Sequence, residues 1–411
     1  MELLEMPPEV FQRIVQVFVN KFGIVEAWKL RGTCKAFCSY FDYEILAKPK
    51  LNAYIKNRLG RKILNNYLAK FLFLRSIKLN GFVHDFLPNF IRDTMLEVSS
   101  CIKSNEAETA LRKALCELLV KSNTCAYSWV LNITNRGQNQ LLRNPIDVTN
   151  PSNRVAAAAA AGNLERVQEL AFRDHHLMWK KSAAFGYPLD AAVYAGHLNV
   201  VQVIAQHAVH ENAQPGAKSP AFSRRCFTLA ICTGIELQRY EISKQLIQTY
   251  DYIFGFATHE CMETWLQAAV KTGDERLARI VLNTDSQASI DCLYNAFDMS
   301  CRHDYAKIAL QFFEAGRLRL DEVAHREYPL LTAIFRNSMP VVQALLDLGA
   351  NPDGPSYLEN IDRPLHAALK KEQAGICRLL FLHGAKLDLV PVSHNTIAKL
   401  FFKSYQNSKS P

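Results

Sequence analysis

This sequence predicts an all-α fold: a solenoid of helix pairs behind a separate set of N-terminal helices. Three observations carry that expectation. A Pro-Leu step leading into alanines recurs at Pro188-Leu189-Asp190-Ala191-Ala192, Pro329-Leu330-Leu331-Thr332-Ala333 and Pro364-Leu365-His366-Ala367-Ala368. Aligning on the leucine adds weaker copies at Leu229, Leu266 and Leu293, and Val155 fits the same slot, giving spacings of 34, 40, 37, 27, 37 and 35 residues. A period in this range marks an array of helix pairs. Seven residues past the anchor stands Gly162, Gly196, Gly273 or Asn337, residue types that tolerate the left-handed conformation closing a helix. A second amphipathic run then follows, as in Val200, Val201, Ile204 or Val341, Val342, Leu345, Leu346. Spacings of three and four put these side chains on one helical face.

The elements follow in chain order. The 411 residues suffice for two or three domains, and 49% hydrophobic with 21% charged residues is a globular balance. In residues 1–48, Pro7-Pro8 precedes a helix, where proline is tolerated, and Glu9 sits in its first turn, favourable to the helix dipole. Val10, Ile14, Val17 and Phe18 make one apolar stripe. After Gly23, Ala27, Leu30, Cys34 and Phe37 are spaced for a second amphipathic helix. Helices this short bury little alone and need a partner or the following segment. Residues 49–150 read as a helical connector through "YLAKFLFLRSIKL" and "TALRKALCELLV", with Phe71, Phe73, Phe82 and Phe86 as core. Turn formers in residues 135–150 close it. About seven repeats then occupy residues 151–390, and residues 391–411 form a tail. Residues 207–225, rich in Pro, Ser and Ala, read as a long mobile loop, and Asn351-Pro352-Asp353-Gly354 as a turn.

Here the chain resembles the ankyrin repeat. The family motif Thr-Pro-Leu-His-x-Ala is nearly met by "RPLHAA", with Arg363 in the threonine slot, and the remainder of the unit by "NSMPVVQALLDLGANPD", with Asn337 replacing glycine. Only His366 fills the histidine slot; Asp190, Ala230, Gln267, Tyr294 and Leu331 stand there in other copies. The resemblance therefore implies that threonine–histidine hydrogen bonding is mostly missing, with irregular loops and modest stability in the middle units. It also implies protein recognition through hairpin tips and the face of the first helices. That points to His325, Tyr328, Asn351, Asp353 and Tyr357 as partner-binding residues.

The N-terminal segment resembles an F-box, through Met6-Pro7-Pro8-Glu9-Val10-Phe11 with Ile14, then Leu30-Arg31-Gly32-Thr33-Cys34-Lys35-Ala36-Phe37. Thr33 stands where valine is usual and Met6 where leucine is. An F-box-like segment ahead of divergent ankyrin repeats is similar to a group of filamentous-fungal proteins. The resemblance implies that Pro7, Pro8, Glu9, Val10, Ile14, Leu30 and Cys34 dock on the Skp-type adaptor of a cullin–RING ubiquitin ligase, while the repeats hold a target protein. The alternative is an ankyrin scaffold whose N-terminal helices only cap the solenoid.

Catalytic signatures are missing: there is no Gly-x-Ser-x-Gly, His-Glu-x-x-His or Gly-x-Gly-x-x-Gly. "PGAKS" at 215–219 lacks the upstream glycine and Gly-Lys pair of a phosphate loop. Cys34 and Cys38 lie four apart without a second pair for zinc. His207 and His210 could share a helical face but sit in the expected loop. The one catalytic alternative is the cluster Tyr294, Asp298, Cys301 and His303, which would need a perturbed thiol beside an imidazole in a cleft. The expectation is a non-enzyme with no cofactor and no metal.

Net charge is +9, and roughly +8 of it lies in the first 150 residues, where 21 Lys and Arg face 13 Asp and Glu. The densest cluster, Lys56, Arg58, Arg61 and Lys62, has no interleaved aromatics for base stacking, which argues against nucleic acid. Eleven irregularly spaced cysteines suit a reducing compartment, cytoplasmic or nuclear, rather than a disulfide framework. "MELLEMPPEV" lacks the basic and apolar regions of a secretory leader, and no apolar stretch reaches membrane-spanning length. Protein partners are what remain.

Overall fold

The structure is a computed structural model describing residues 6–33, 35–49, 52–77, 86–98, 102, 104–123, 146–212, 221–284, 288–321, 323–324, 327–355 and 362–386. Among them are 21 α-helices and no β-strand, only two isolated bridges, Ser182–Gly186 and Ala324–Glu327. No helix among the described residues is long and apolar enough to cross a membrane. Contacts divide the chain into two units, residues 1–211 with 216–226, and residues 212–215 with 227–411.

The first unit opens with α1 (Pro8–Leu30), α2 (Lys35–Leu46), α3 (Asn52–Ile55), α4 (Arg58–Asn66), α5 (Leu68–Ile77), α6 (Phe86–Val98) and α7 (Asn105–Lys121). Gly23, at φ +84°, breaks α1 into two stretches on a backbone that L side chains rarely adopt. The single second helix expected after Gly23 is really two, because the chain turns at residues 31–33 before α2 begins. Buried Arg75 on α5 donates to the Leu46 and Pro49 carbonyls, at 3.1 and 2.5 Å, and the Tyr54 hydroxyl donates to the Ile45 carbonyl. The last turn of α2 is thereby tied to the helices after it, and one core runs through residues 8–77. Two helix pairs complete the unit: α8 (Pro151–Ala160) with α9 (Leu164–Arg173), and α10 (Pro188–Ala195) with α11 (Leu198–Asn212).

The second unit holds five further pairs: α12 (Ala221–Glu236) with α13 (Tyr240–Phe254), α14 (His259–Thr272) with α15 (Glu275–Leu282), α16 (Ile290–Arg302) with α17 (Ala306–Glu314), α18 (Pro329–Phe335) with α19 (Met339–Asp347), and α20 (Pro364–Lys370) with α21 (Ala374–Leu382). In this unit the first helices α14, α16, α18 and α20 pack in one row and the second helices α13, α15, α17, α19 and α21 in another. This is the architecture of an α-solenoid. Residues 207–212 and 221–225, expected in a long loop, are helical; residues 213–220 lie outside the described residues.

One turn joins the two helices of every pair. Its first residue has positive φ: Gly162 +71°, Gly196 +88°, Gln238 +54°, Gly273 +70°, Asp304 +58°, Asn337 +58° and Glu372 +56°. In six of the seven the next residue's N–H reaches back to a carbonyl five residues earlier, as in Asn163 to Ala158, Arg239 to Gly234 and Tyr305 to Ser300. These bonds satisfy carbonyls that a helix end leaves open. Of the three middle units, where irregular loops are expected, the turns at Gln238 and Asp304 keep this bond, and the turn at Gly273 is the one without it. The turns also correct the repeat register. Seven residues before Gln238 and Asp304 stand Ile231 and Phe297, both fully buried, so the anchors are these rather than Leu229, which is 40% exposed, and Leu293. Spacing between turn residues is 34, 42, 35, 31, 33 and 35 residues, without the anomalous 27.

The residue after the turn also links neighbouring pairs. The His197 Nε2 donates to the Ala160 carbonyl at 3.1 Å, Gln373 Nε2 to the Ile334 carbonyl at 2.8 Å, and Ser338 Oγ to Asp304 Oδ1 at 2.7 Å. A Cβ on Gly162 would stand 2.6 Å from the His197 ring, and one on Gly273 3.0 Å from the Tyr305 ring. Gly162 is thus required twice, for its φ and for its neighbour. In urea unfolding, Gly162→Ala should lose about 1–2 kcal/mol for the left-handed strain alone. The converse change at a strained, exposed turn, Glu372→Gly, should gain about 0.5–1 kcal/mol, the strain relieved less the extra chain entropy of glycine.

Candidate protein-binding surface

The N-terminal candidates lie on the outer face of α1. Phe11, Val15, Val19, Ile24 and Ala27 are buried, while Val10, Ile14 and Val17 are 48%, 42% and 52% exposed. Three of the four residues in the apolar stripe read from the sequence therefore face solvent, Phe18 is half-buried against Phe41, and a second stripe, one residue along, forms the core. Pro7, Pro8, Glu9 and Leu30 are exposed as well. Cys34 lies outside the described residues. Three branched apolar side chains at i, i+4 and i+7 present a strip with no hydrogen-bonding group, suited to dry packing against another protein.

A buried carboxylate holds this helix. Asp42 on α2 is paired with Arg31, just after α1, and with Lys70 of α5 at 2.5 Å. Burial alone would raise the Asp42 carboxyl. Hydrogen bonds from Arg31 and Lys70 outweigh it and hold the group below its usual value of 3.8. The Arg31 guanidinium lies over the Trp28 and Tyr67 rings, 4.4 and 5.0 Å from their centroids, and those rings meet edge to face at 4.7 Å. Arg31 thus anchors the end of α1 on Asp42 of α2 and on the Tyr67 ring.

The repeat-loop candidates have internal work. Asn351 Oδ1 accepts from the Asp353 N–H at 3.0 Å and Asn351 Nδ2 donates to the Gly354 carbonyl at 2.9 Å, closing the predicted turn. Asp353 Oδ1 accepts from the Lys386 N–H at 2.7 Å. Tyr328, expected at the surface, is buried: its hydroxyl donates to the Asp362 carbonyl at 3.3 Å and fills the space where Gly354 has no side chain. Burial raises the Tyr328 phenol, so it stays neutral. His325 and Tyr357 lie outside the described residues. Arg363 donates to the Asp353 and Pro355 carbonyls, both at 3.1 Å, and clamps this loop.

The catalytic alternative does not assemble. Cys301 is buried, and burial, then the nearby Asp298 carboxylate, raises its thiol, the opposite of an activated nucleophile. His303 stacks on Tyr305, with ring centroids 5.5 Å apart. Asp298 pairs with Arg302 and Arg336, and the Tyr294 hydroxyl donates to the Glu327 carbonyl. Burial likewise pushes the thiols of Cys292 and Cys377 up to about 11. Among the described residues no three His, Cys, Asp or Glu side chains converge to hold a metal.

Sequence reading missed one surface feature. Tyr252, in the last turn of α13, is 75% exposed, and Phe256, two residues past the helix end, is exposed as well. Its signal was the run "YDYIFGF", where Gly255 at φ +80° stops the helix and turns an aromatic outward.

No family model matches the chain, and no curated protein does. The crystal structure of the human ASB11 ankyrin repeat domain is similar to it, at 18% identity over 60% of this chain and 96% of that one, with a TM-score of 0.30.

The Asp42 carboxyl, lowered in the folded chain, adds stability above its unfolded value, and that stability is lost as pH falls below about 4. Asp42→Asn should therefore lower unfolding free energy at pH 7 by about 1.5–3 kcal/mol, the range for hydrogen bonds to charged groups. In urea titrations the gap between variant and wild type should narrow as pH drops through that window.

Proposed function

We propose that this chain is a non-catalytic interaction protein whose α1 surface docks on the Skp-type adaptor of a cullin–RING ubiquitin ligase while its helix-pair array holds a target protein. The observation carrying this reading is the exposed apolar strip Val10, Ile14 and Val17, lying beside Pro7, Pro8 and Glu9 on a helix whose other face is fully engaged. A strip used only to cap apolar repeats would be covered by its own chain, and this one is open to solvent. The array supplies the second half of the reading: backbone-fixed loops on a regular scaffold, a form that presents variable side chains to a protein partner. Arg31, in the F-box-like stretch, ties the end of α1 to Asp42 of α2.

The test is capture of purified Skp-type adaptor and cullin by the full chain. Ile14→Glu with Val17→Glu places charge on exposed positions, so the variant should fold with unchanged helical circular dichroism. Capture by wild type and at least a tenfold loss in the variant, about 1.4 kcal/mol or more, is the expected result. No capture by wild type would leave the α1 helices as a cap and the chain as a scaffold.

A further inference from the structure

The α9–α10 hairpin brings together a histidine pair that no spacing in the sequence joins. Asp174 caps a short 3-10 helix, His175–Met178, by accepting from the His176 N–H at 3.1 Å. Leu177 and Met178 are buried and fix this turn against the core. His175 then meets His207 of α11: His175 Nδ1 lies 3.2 Å from His207 Nε2, with ring planes tilted by 32°. One turn further along α11, Glu211 Oε1 stands 3.4 Å from the other nitrogen of His207, Nδ1, while its Oε2 accepts from the Trp179 indole N–H at 2.8 Å.

The facing imidazole nitrogens, His175 Nδ1 and His207 Nε2, stand at the separation of two nitrogen ligands on one ion: at metal–nitrogen bonds of about 2.0–2.1 Å, 3.2 Å subtends about 100°, near the tetrahedral angle. The carboxylate behind His207, itself held by Trp179, is the outer partner that a metal-bound histidine ordinarily has.

We propose that His175 Nδ1 and His207 Nε2 bind a divalent transition ion of the zinc class, with Glu211 positioning His207. Imidazole pairs suit Zn²⁺, Ni²⁺ and Cu²⁺ rather than Mg²⁺ or Ca²⁺. The chain supplies one edge of the coordination shell, and water completes it on the exposed His175 side. The ion staples the hairpin of the first repeat to the second helix of the next. The site is independent of α1 and of adaptor binding.

The experiment is calorimetric titration of the tag-free full chain with ZnCl₂ alone, alongside Co²⁺ titration read by visible absorption. One ion per chain is expected. His175→Ala and His207→Ala should each weaken it by about tenfold or more, and Glu211→Gln by about 10–100-fold, all with unchanged circular dichroism. No saturable Zn²⁺ binding by wild type would overturn the proposal. Equal binding by the His175→Ala, His207→Ala double variant would overturn it too, by placing the ion on other residues.

Discussion

A single left-handed residue after each first helix is the constraint on which the repeat architecture depends. With that residue at positive φ, the chain reverses within two positions, and the next residue enters the second helix from a nearly constant backbone. The entry residues Asn163, Arg239, Asp274, Tyr305, Ser338 and Gln373 have φ between −79° and −87° with ψ between 70° and 112°. The return hydrogen bond to a carbonyl five residues back then sets the angle of one helix against the other. That geometry is local and is the same wherever it occurs. It places the entry side chain beside the previous pair, where His197, Ser338 and Gln373 find their acceptors. A backbone device within each pair thus becomes the link between pairs.

The same device explains what the sequence could and could not reveal. Gly162, Gly196, Gly273 and Asn337 were legible because glycine and asparagine carry a low cost at positive φ. Gln238, Asp304 and Glu372 occupy the same conformation with no chemical mark of it, so two anchors were misplaced by two and four residues. Apolar residues recur on more than one row of a half-buried helix, and Leu229 and Leu293 satisfied the pattern as well as Ile231 and Phe297 did. The surface was harder to read. The α1 stripe was visible, but periodicity cannot say which of two adjacent apolar rows faces the core; Phe11, Val15 and Val19 took that place because their aromatic and branched bulk meets Tyr40 and the α2 core. Asn351 and Asp353 looked like free polar contacts, yet a turn must satisfy its own backbone first. The His175–His207 contact spans 32 residues and depends on a 3-10 turn that no motif announces.

The N-terminal helices are held by different physics. There is no repeating turn; instead a buried carboxylate gathers two cations from separate elements, and Arg31 adds its flat face to two aromatic rings. An unpaired charge in that position would be strongly unfavourable, so the three groups act as one, and removal of any member strands the others. Such an anchor is directional where apolar packing is not.

Division of labour follows from these two kinds of order. The described cysteines with shifted thiols are all pushed upward by burial, and Asp298 is paired with Arg302 and Arg336. Chemistry of the nucleophilic kind needs the reverse, a charge held in a cleft without a partner. Among the apolar side chains that the described residues leave exposed are those of the α1 strip, with Tyr252 and Phe256 in the second unit. Because six of the seven pair turns are closed by main-chain bonds, the pairing of helices rests on the backbone and not on these exposed side chains.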